Sequence, residues 1–286
     1  MTQIIKMALP LLSLILAVGL NACARQTPTP APRQTFPRVS LPSSEVRQLH
    51  SEATGRDYDL YIRLPGNYEK FPLVKYPVLY LLDGQWDFKM LDSIYGGLEY
   101  DNFVPEMIIV GITYTGENPD YNSLRAMDMS PVKDSTIPGS GDAPKFLTFL
   151  KNQVIPFVES NYQVNPSKRV LMGSSFGGLF ALYTLFTEAN LFTGYVASSP
   201  YVVYADWQIF DYEEAYAGKS TELPARLYLT VGGAEDLKIP VQRFMDVLQK
   251  RAYKGLNLET RIIESEGHSS NKPESYNRGL RYAFQD

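Results

Sequence analysis

The feature that most constrains this chain is the pentapeptide Gly-Ser-Ser-Phe-Gly at 173–177. It follows the apolar run Val170–Met172 and precedes a segment, Leu179–Glu188, with the composition of a buried helix. A Gly-x-Ser-x-Gly sequence between a strand and a helix predicts a sharp turn that lifts the serine hydroxyl above a sheet. We therefore predict that Ser175 is a nucleophile.

Small residues are needed around this turn for steric reasons. The turn strains the serine backbone, and side chains at Gly173 or Gly177 would collide with the neighbouring strand and helix. The same turn points the backbone N–H of Phe176 toward the reacting centre, where it can stabilise a developing oxyanion. One turn is thus expected to supply both the nucleophile and an oxyanion donor.

The composition favours one globular domain and excludes a nucleic-acid-binding surface. With 286 residues and 44% hydrophobic content, the chain can bury the core of a single α/β domain. Its formal charge is −4, its pI is about 5.4, and it has no block of Lys and Arg. A nucleic acid therefore has no electrostatic footprint here, and we expect no such partner.

The amino-terminal residues have the pattern of an export signal. Lys6 precedes the apolar run Met7–Leu20, which is short for a membrane span but typical of a signal peptide. The sequence Leu20–Cys23 resembles the lipobox of bacterial lipoproteins, and Cys23 is the single cysteine. We expect residues 1–22 to be removed, Cys23 to carry a lipid, and the protein to be anchored in the bacterial cell envelope, facing the periplasm.

A proline-rich stretch separates this anchor from the folded domain. Residues 23–42 contain proline too often for a helix or a central strand, so they are predicted to be an extended linker. The domain is then residues 43–286.

Strand and helix patterns alternate through most of that domain. Two alternating segments, Val46–Ala53 and Tyr58–Leu64, predict an antiparallel opening hairpin. Continuous apolar runs at Val78–Leu82 and Met107–Thr113 predict buried strands. Further strands are predicted at Gly194–Ala197, Arg226–Val231 and Leu258–Ile263, and helices at Ala143–Asn161, Phe176–Glu188, Val241–Tyr253 and Glu274–Phe284. The fold class is α/β, a mostly parallel sheet with helices on both faces and active-site loops at the carboxyl ends of its strands.

Ser175 needs a base, and the chain has only two histidines. His50 lies in the opening hairpin, whereas His268 follows the last predicted strand, where α/β-hydrolases place their base. A carboxylate from the preceding strand's loop must orient the imidazole, and Glu235 and Asp236 both qualify. The order serine, acid, histidine is that of α/β-hydrolases.

The second oxyanion donor is expected just after the strand Val78–Leu82. Gly84 lets the chain turn in close, and the backbone N–H of Gln85 is the best candidate. Trp86 either shapes this turn or contacts the substrate. No metal-ligand spacing occurs, and we expect no metal and no cofactor.

Several motifs in sequence order resemble the Putative esterase family, also called esterase D-like, and within it the ferric enterochelin esterase-like hydrolases. Tyr76–Gly84 resembles the family's third strand and oxyanion turn, and Val110–Tyr114 with Arg125, Asp128 and Pro131 resembles its "GIGY... R..D..P" stretch. Gly173–Leu182 is similar to its "GHSxGGLFAL", although Ser174 replaces the usual histidine. The resemblance implies Glu235 as the acid and His268 as the base.

The resemblance also implies a substrate class. It points to a serine carboxylesterase that acts through an acyl-enzyme on ferric catecholate siderophore esters. The alternatives are a feruloyl or acetyl carbohydrate esterase, or a binding protein that kept the fold without catalysis. The short Pro200–Pro224 connection predicts an open site without a large lid, and Tyr114–Gly141 is expected to form one rim. Candidate substrate-binding residues are Arg125, Trp86, Tyr114 and Tyr201, with a loop ion pair as the other role for Arg125.

Overall fold

The structure is a computed structural model that describes residues 40–285. Leu41–Asp286 forms one compact unit, which contains all the strands and helices described below. The predicted signal peptide, Cys23 and most of the predicted linker lie outside the described residues. Within the described range, no helix combines the length and the apolar composition needed to span a bilayer.

An eight-stranded sheet organises this unit, in the order β1-β2-β4-β3-β5-β6-β7-β8. The antiparallel hairpin β1–β2 joins the sheet through an antiparallel β2–β4 pair, and all other pairs are parallel. The strands are β1 (Ser44–Ser51), β2 (Arg56–Arg63), β3 (Tyr76–Leu81), β4 (Ile108–Tyr114), β5 (Val164–Ser174), β6 (Gly194–Ser198), β7 (Glu222–Gly232) and β8 (Lys254–Ile263).

The two strands predicted from continuous apolar runs lie in the middle of this sheet. Every residue of β3 and of β4 is buried. Strands covered by helices on both faces need apolar side chains at successive positions, and this need accounts for the runs. The predicted mostly parallel α/β sheet is confirmed.

Eight α-helices cover the sheet in the described part of the chain. They are α1 (Gly84–Tyr100), α2 (Tyr121–Met129), α3 (Ala143–Phe149), α4 (Ile155–Asn161), α5 (Phe176–Thr187), α6 (Tyr204–Ala217), α7 (Lys238–Arg251) and α8 (Lys272–Ala283). The predicted helix Ala143–Asn161 is α3 and α4, joined by a π-helical turn at Leu150–Val154. Helices α1, α2 and α6 were not predicted, and α2 lies within the segment expected to be a rim loop.

The helices form two layers. On one face of the sheet, α3 to α7 supply the larger core, which includes Phe146, Phe180 and Phe244. On the other face, α1 and α8 supply a smaller core around Leu91 and Tyr276. The sheet is therefore buried on both sides.

The connection between β6 and β7 carries only α6, so no separate lid domain is present among the described residues. Helix α6 begins with an unusual turn. Ala205, Asp206 and Trp207 all have positive φ, at 46°, 53° and 67°, although none is glycine. Such conformations cost about 1–2 kcal/mol per residue, so surrounding contacts must hold this turn in place.

We predict that Gly279→Ala destabilises the domain, because α8 packs too closely on the sheet to admit a methyl group. A Cβ at Gly279 would lie 2.5 Å from Cγ1 of Val196 and 3.2 Å from Cδ1 of Tyr228. Overpacking of this kind costs about 1–3 kcal/mol, seen as a lower urea midpoint. The matched control is Gly97→Ala in α1, where nothing lies within 4 Å of the added Cβ. That variant should gain about 0.5–1 kcal/mol, and a neutral Gly279→Ala would contradict the prediction.

Candidate active site

Ser175 sits on the turn between β5 and α5. Its backbone is at φ 59°, ψ −117°, a region that non-glycine residues rarely adopt. Its N–H donates to Ser198 O at 3.0 Å, and its carbonyl accepts from Leu179 N at 2.9 Å. A Cβ on Gly173 would lie 2.5 Å from the carbonyl carbon of Gly177. The two glycines thus allow the two arms of the turn to touch.

His268 lies in the loop between β8 and α8, and Glu235 in the loop between β7 and α7. Nδ1 of His268 lies 2.6 Å from Oε2 of Glu235. The histidine side chain is 40% exposed and the glutamate side chain 5% exposed. Because Nδ1 is hydrogen-bonded to the carboxylate, Nε2 is the ring nitrogen that can accept a proton. His50 lies in the opening hairpin instead, paired with Asp57.

The Glu235 carboxylate is held by several donors. Oε1 accepts from the Ser199 hydroxyl at 2.5 Å and from the Gly232 N–H at 2.6 Å. Burial acts to raise the pKa of Glu235, but the hydrogen bonds from His268, Ser199 and Gly232 outweigh it and lower that pKa. The stability that this carboxylate contributes is present above its unfolded pKa and is lost as pH falls through the lowered one. Asp236 is exposed, so Glu235 is the carboxylate that contacts the histidine.

Asn271, which the sequence analysis did not identify as a site residue, joins three loops of the site. Its side chain is fully buried at the start of α8. The amide nitrogen lies within hydrogen-bond distance of the carbonyls of Gly267 and His268, the Ser199 hydroxyl and Glu235 Oε1, at 2.8–3.3 Å. Its oxygen accepts from the Ser198 hydroxyl at 2.8 Å. An asparagine three residues after a histidine gives no local signal of this role.

Ser175 and the His268–Glu235 pair are linked through the end of β6. Ser198 accepts from the Ser175 N–H, and the next residue, Ser199, donates to Glu235. The Ser175 hydroxyl itself forms no hydrogen bond within the described part of the chain, and the residue is partly exposed. Nucleophile–base hydrogen bonds often tighten only when substrate is bound.

Two backbone N–H groups are candidates for an oxyanion hole. Phe176 and Gln85 are each in the first turn of a helix, α5 and α1, where N–H groups have no intrahelical acceptor. Gly84 permits the close turn before Gln85, since a Cβ there would lie 2.9 Å from the carbonyl carbon of Gly111. The Gln85 side chain is pinned by the Thr113 hydroxyl, which donates to its Oε1 at 2.8 Å.

Two buried ion pairs flank this oxyanion turn. Arg125 of α2 binds both carboxylate oxygens of Asp83, at 2.7 and 2.6 Å, and donates to Ser174 O at 3.2 Å. On the other side, Lys272 of α8 lies 3.0 and 3.1 Å from the two oxygens of Asp87. Of the two roles considered for Arg125, the structure shows the loop ion pair, and its partner is Asp83. Asp128 pairs with Arg56.

Aromatic side chains line one continuous surface beside Ser175. Trp86, which is 45% exposed, packs edge-on against Tyr121, and Phe176 packs edge-on against Tyr201. The Arg125 guanidinium bridges the two pairs, 5.6 Å from the Trp86 ring and 5.4 Å from the Phe176 ring. We call Trp86, Tyr121, Phe176 and Tyr201 the aromatic wall.

The prediction that Tyr114 binds substrate is wrong, because its ring is buried. Its side chain is 5% exposed and packs against Tyr58, with ring centroids 5.4 Å apart. It closes the carboxyl end of β4, so its ring is covered where a ligand would have to stack. Tyr121, whose side chain is partly exposed and packs against Trp86, is the tyrosine in this region that a ligand can reach.

Comparisons with known proteins identify hydrolases that are similar to this chain. The chain is 28% identical over 265 residues to the ferri-bacillibactin esterase BesA of Bacillus subtilis, covering 86% of this chain and 91% of that protein. It is similar in structure to the BES protein from Bacillus cereus, with a TM-score of 0.79, 27% identity, and coverage of 90% of this chain and 100% of that one. An IroE-like serine hydrolase from Shewanella oneidensis gives a TM-score of 0.76 at 26% identity, covering 84% and 80% of the two chains.

The family model described as "Putative esterase" matches residues 51–263, from the end of β1 to the end of β8. This range includes Ser175 and Glu235. A serine on a strained turn, a carboxylate-bound histidine and two free helix N-termini are the parts that ester hydrolysis needs. The chain therefore belongs to the Putative esterase family and is an ester hydrolase with the α/β-hydrolase fold.

Proposed function

We propose that this protein hydrolyses catecholate siderophore esters through an acyl-enzyme formed on Ser175. The observation that carries this proposal is the aromatic wall beside a serine whose turn is hydrogen-bonded to the same strand end as the Glu235–His268 pair. In this role Ser175 is the nucleophile, His268 the base and Glu235 the acid that orients it. The backbone N–H groups of Phe176 and Gln85 form the oxyanion hole.

The reaction follows from these positions. As the Ser175 oxygen attacks the ester carbonyl, its proton passes to Nε2 of His268, and the carbonyl oxygen becomes an oxyanion bound by the two N–H groups. His268 then gives the proton to the departing alcohol, leaving an acyl-enzyme. A water molecule repeats the sequence and releases the acid. Glu235 keeps the imidazole in one tautomer and balances its transient charge.

The aromatic wall supports the choice of acyl group. Catechol rings can stack against Trp86, Tyr121 or Tyr201 in offset or edge-on geometry, each worth about 0.5–1.5 kcal/mol beyond area burial. The relatives named above include an esterase of ferri-bacillibactin, which supports the same substrate class here. With no lid domain in the described chain, a bulky cyclic ester has access to the site.

We also propose that the protein is exported and held at the bacterial cell envelope by a lipid on Cys23. Support for this part comes from the amino-terminal sequence alone: the apolar run Met7–Leu20 and the lipobox-like Leu20–Cys23. A tethered esterase would act on esters that reach the periplasm.

The test of the substrate class is a panel of esters. It contains ferric and iron-free cyclic catecholate esters, feruloyl sugars, acetylated sugars and short p-nitrophenyl esters. We expect the highest kcat/KM on the catecholate esters, because only they offer several rings to the aromatic wall. A higher kcat/KM on feruloyl or acetyl sugars would replace the proposal with the carbohydrate esterase function. Ser175→Ala, run beside it, should retain less than about a hundredth of the activity.

We predict that Glu235→Gln lowers kcat/KM by about 10²- to 10⁴-fold, because an amide cannot hold the imidazole in the required tautomer or balance its charge. Asp236→Asn is the matched control: Asp236 is exposed, and this variant should keep its activity within about twofold. Both are measured as kcat/KM on a p-nitrophenyl ester. The reverse ranking of the two variants would make Asp236 the triad acid.

We predict that Asn271→Ala impairs the site as well as the fold. The change removes one of the donors to the Glu235 carboxylate and the side-chain donor to the His268 and Gly267 carbonyls, so we expect a loss of about 1–3 kcal/mol in unfolding free energy. It should also lower kcat more than it raises KM, since the base is displaced while the aromatic wall is untouched. Asn277→Ala, on the same helix without these contacts, is the control. A loss of stability with unchanged kcat would show that Asn271 is purely structural.

A further inference from the structure

The edge of the sheet opposite the site carries an exposed apolar loop. Phe71, Leu73 and Val74 lie in one four-residue stretch between β2 and β3, and Leu73 is 91% exposed. The loop is a formed turn, because Val74 N donates to Phe71 O at 3.1 Å. Its base is tied to the residue before β5 by Tyr68, whose hydroxyl accepts from Gln163 N at 2.9 Å. These apolar side chains are therefore held outward by a fixed backbone.

A second exposed pair lies at the same edge. Tyr100, 87% exposed, ends α1, and Phe103 follows in the loop before β4. Strands β3 and β4 are parallel neighbours, so the loops that precede them lie at one edge. A hydrogen bond between Asn67 and Glu106, 3.1 Å, joins the two loops. We call Phe71, Leu73, Val74, Tyr100 and Phe103 the apolar edge.

The chain enters the domain at this same edge. Strand β1 starts at Ser44, which pairs with Arg63 at the end of β2, and Arg63 pairs with Ile109 at the start of β4. Ser43 O accepts from Leu64 N, the residue that begins the exposed loop. The first described residues, which follow the predicted anchor and linker in the sequence, therefore lie at the apolar edge.

We propose that the apolar edge rests on the lipid bilayer that holds the amino-terminal tether. Phe, Leu, Val and Tyr side chains on a fixed loop match the interfacial region of a bilayer. The short tether keeps the edge near the membrane at high effective concentration, so a weak apolar contact is enough. The two loops carry charges of both signs, Glu69 and Asp101 as well as Lys70 and Lys75, so the contact is apolar rather than electrostatic.

This contact has a consequence for the reaction. The site loops lie at the carboxyl ends of the strands, so resting on the apolar edge turns Ser175 away from the bilayer and toward water-borne substrate. The inference rests on the proposed lipid anchor at Cys23. A synthetic tether lets the membrane contact be tested independently of that anchor.

The test uses the chain from Cys23 onward, coupled through its one thiol to a maleimide lipid. The lipid is held in zwitterionic vesicles. The acyl chains of these vesicles are brominated, and bromine quenches the fluorescence of nearby tryptophan. The native tryptophans, Trp86 and Trp207, follow β3 and β6 at the site edge, so the parent protein should keep its emission. In Leu73→Trp we expect the added emission to fall about twofold. Asn122→Trp, exposed near the site, is the matched control and should not be quenched.

Adding Phe71→Asp to Leu73→Trp should restore the emission, because a charge in the loop opposes insertion. Equal quenching of the Leu73→Trp and Asn122→Trp proteins, or none in either, would overturn the proposal. Since the tether is synthetic, neither result depends on whether cells attach a lipid to Cys23.

Discussion

The backbone of Ser175 is held at φ 59°, ψ −117°, and the geometry of the rest of the site depends on this strained residue. Strain of this kind costs of order 1–3 kcal/mol and persists only where surrounding contacts over-determine it. Here they are the contact between Gly173 and Gly177 and the hydrogen bond to Ser198 O. Ser198 is followed by Ser199, which donates to Glu235, and Glu235 binds His268. The residue that holds the nucleophile is therefore adjacent to the residue that holds the acid.

Local sterics explain what could be predicted. A Gly-x-Ser-x-Gly turn leaves one workable backbone path, and continuous apolar runs mark strands buried on both faces, so the central sheet followed from the sequence. The placement of His268 and Glu235 in successive loops followed from the order of elements. The choice between Glu235 and Asp236 did not follow from the residues themselves, since adjacent carboxylates differ only in which one the loop buries.

Long-range pairing explains what could not be predicted. Asn271 gains its role from groups on β6 and on the loop after β7 that are 36 to 73 positions away along the chain. Tyr114 ends β4 and Tyr121 begins α2, and only packing decides that the first is buried and the second partly exposed. The left-handed turn at Ala205–Trp207 has no glycine to announce it. In each case tertiary contacts override what the local sequence indicates.

The two ion pairs beside the oxyanion turn solve an electrostatic problem that the turn creates. Asp83 and Asp87 stand two residues on either side of Gln85, whose N–H must bind a developing negative charge. At an effective dielectric constant of about 20, a bare carboxylate roughly 7 Å from an oxyanion would oppose that charge by about 2 kcal/mol. A single oxyanion donor is worth about 2.7–4 kcal/mol, so two uncompensated carboxylates would cancel it. Arg125 and Lys272 neutralise them, and their buried positions keep the compensation from being screened by water.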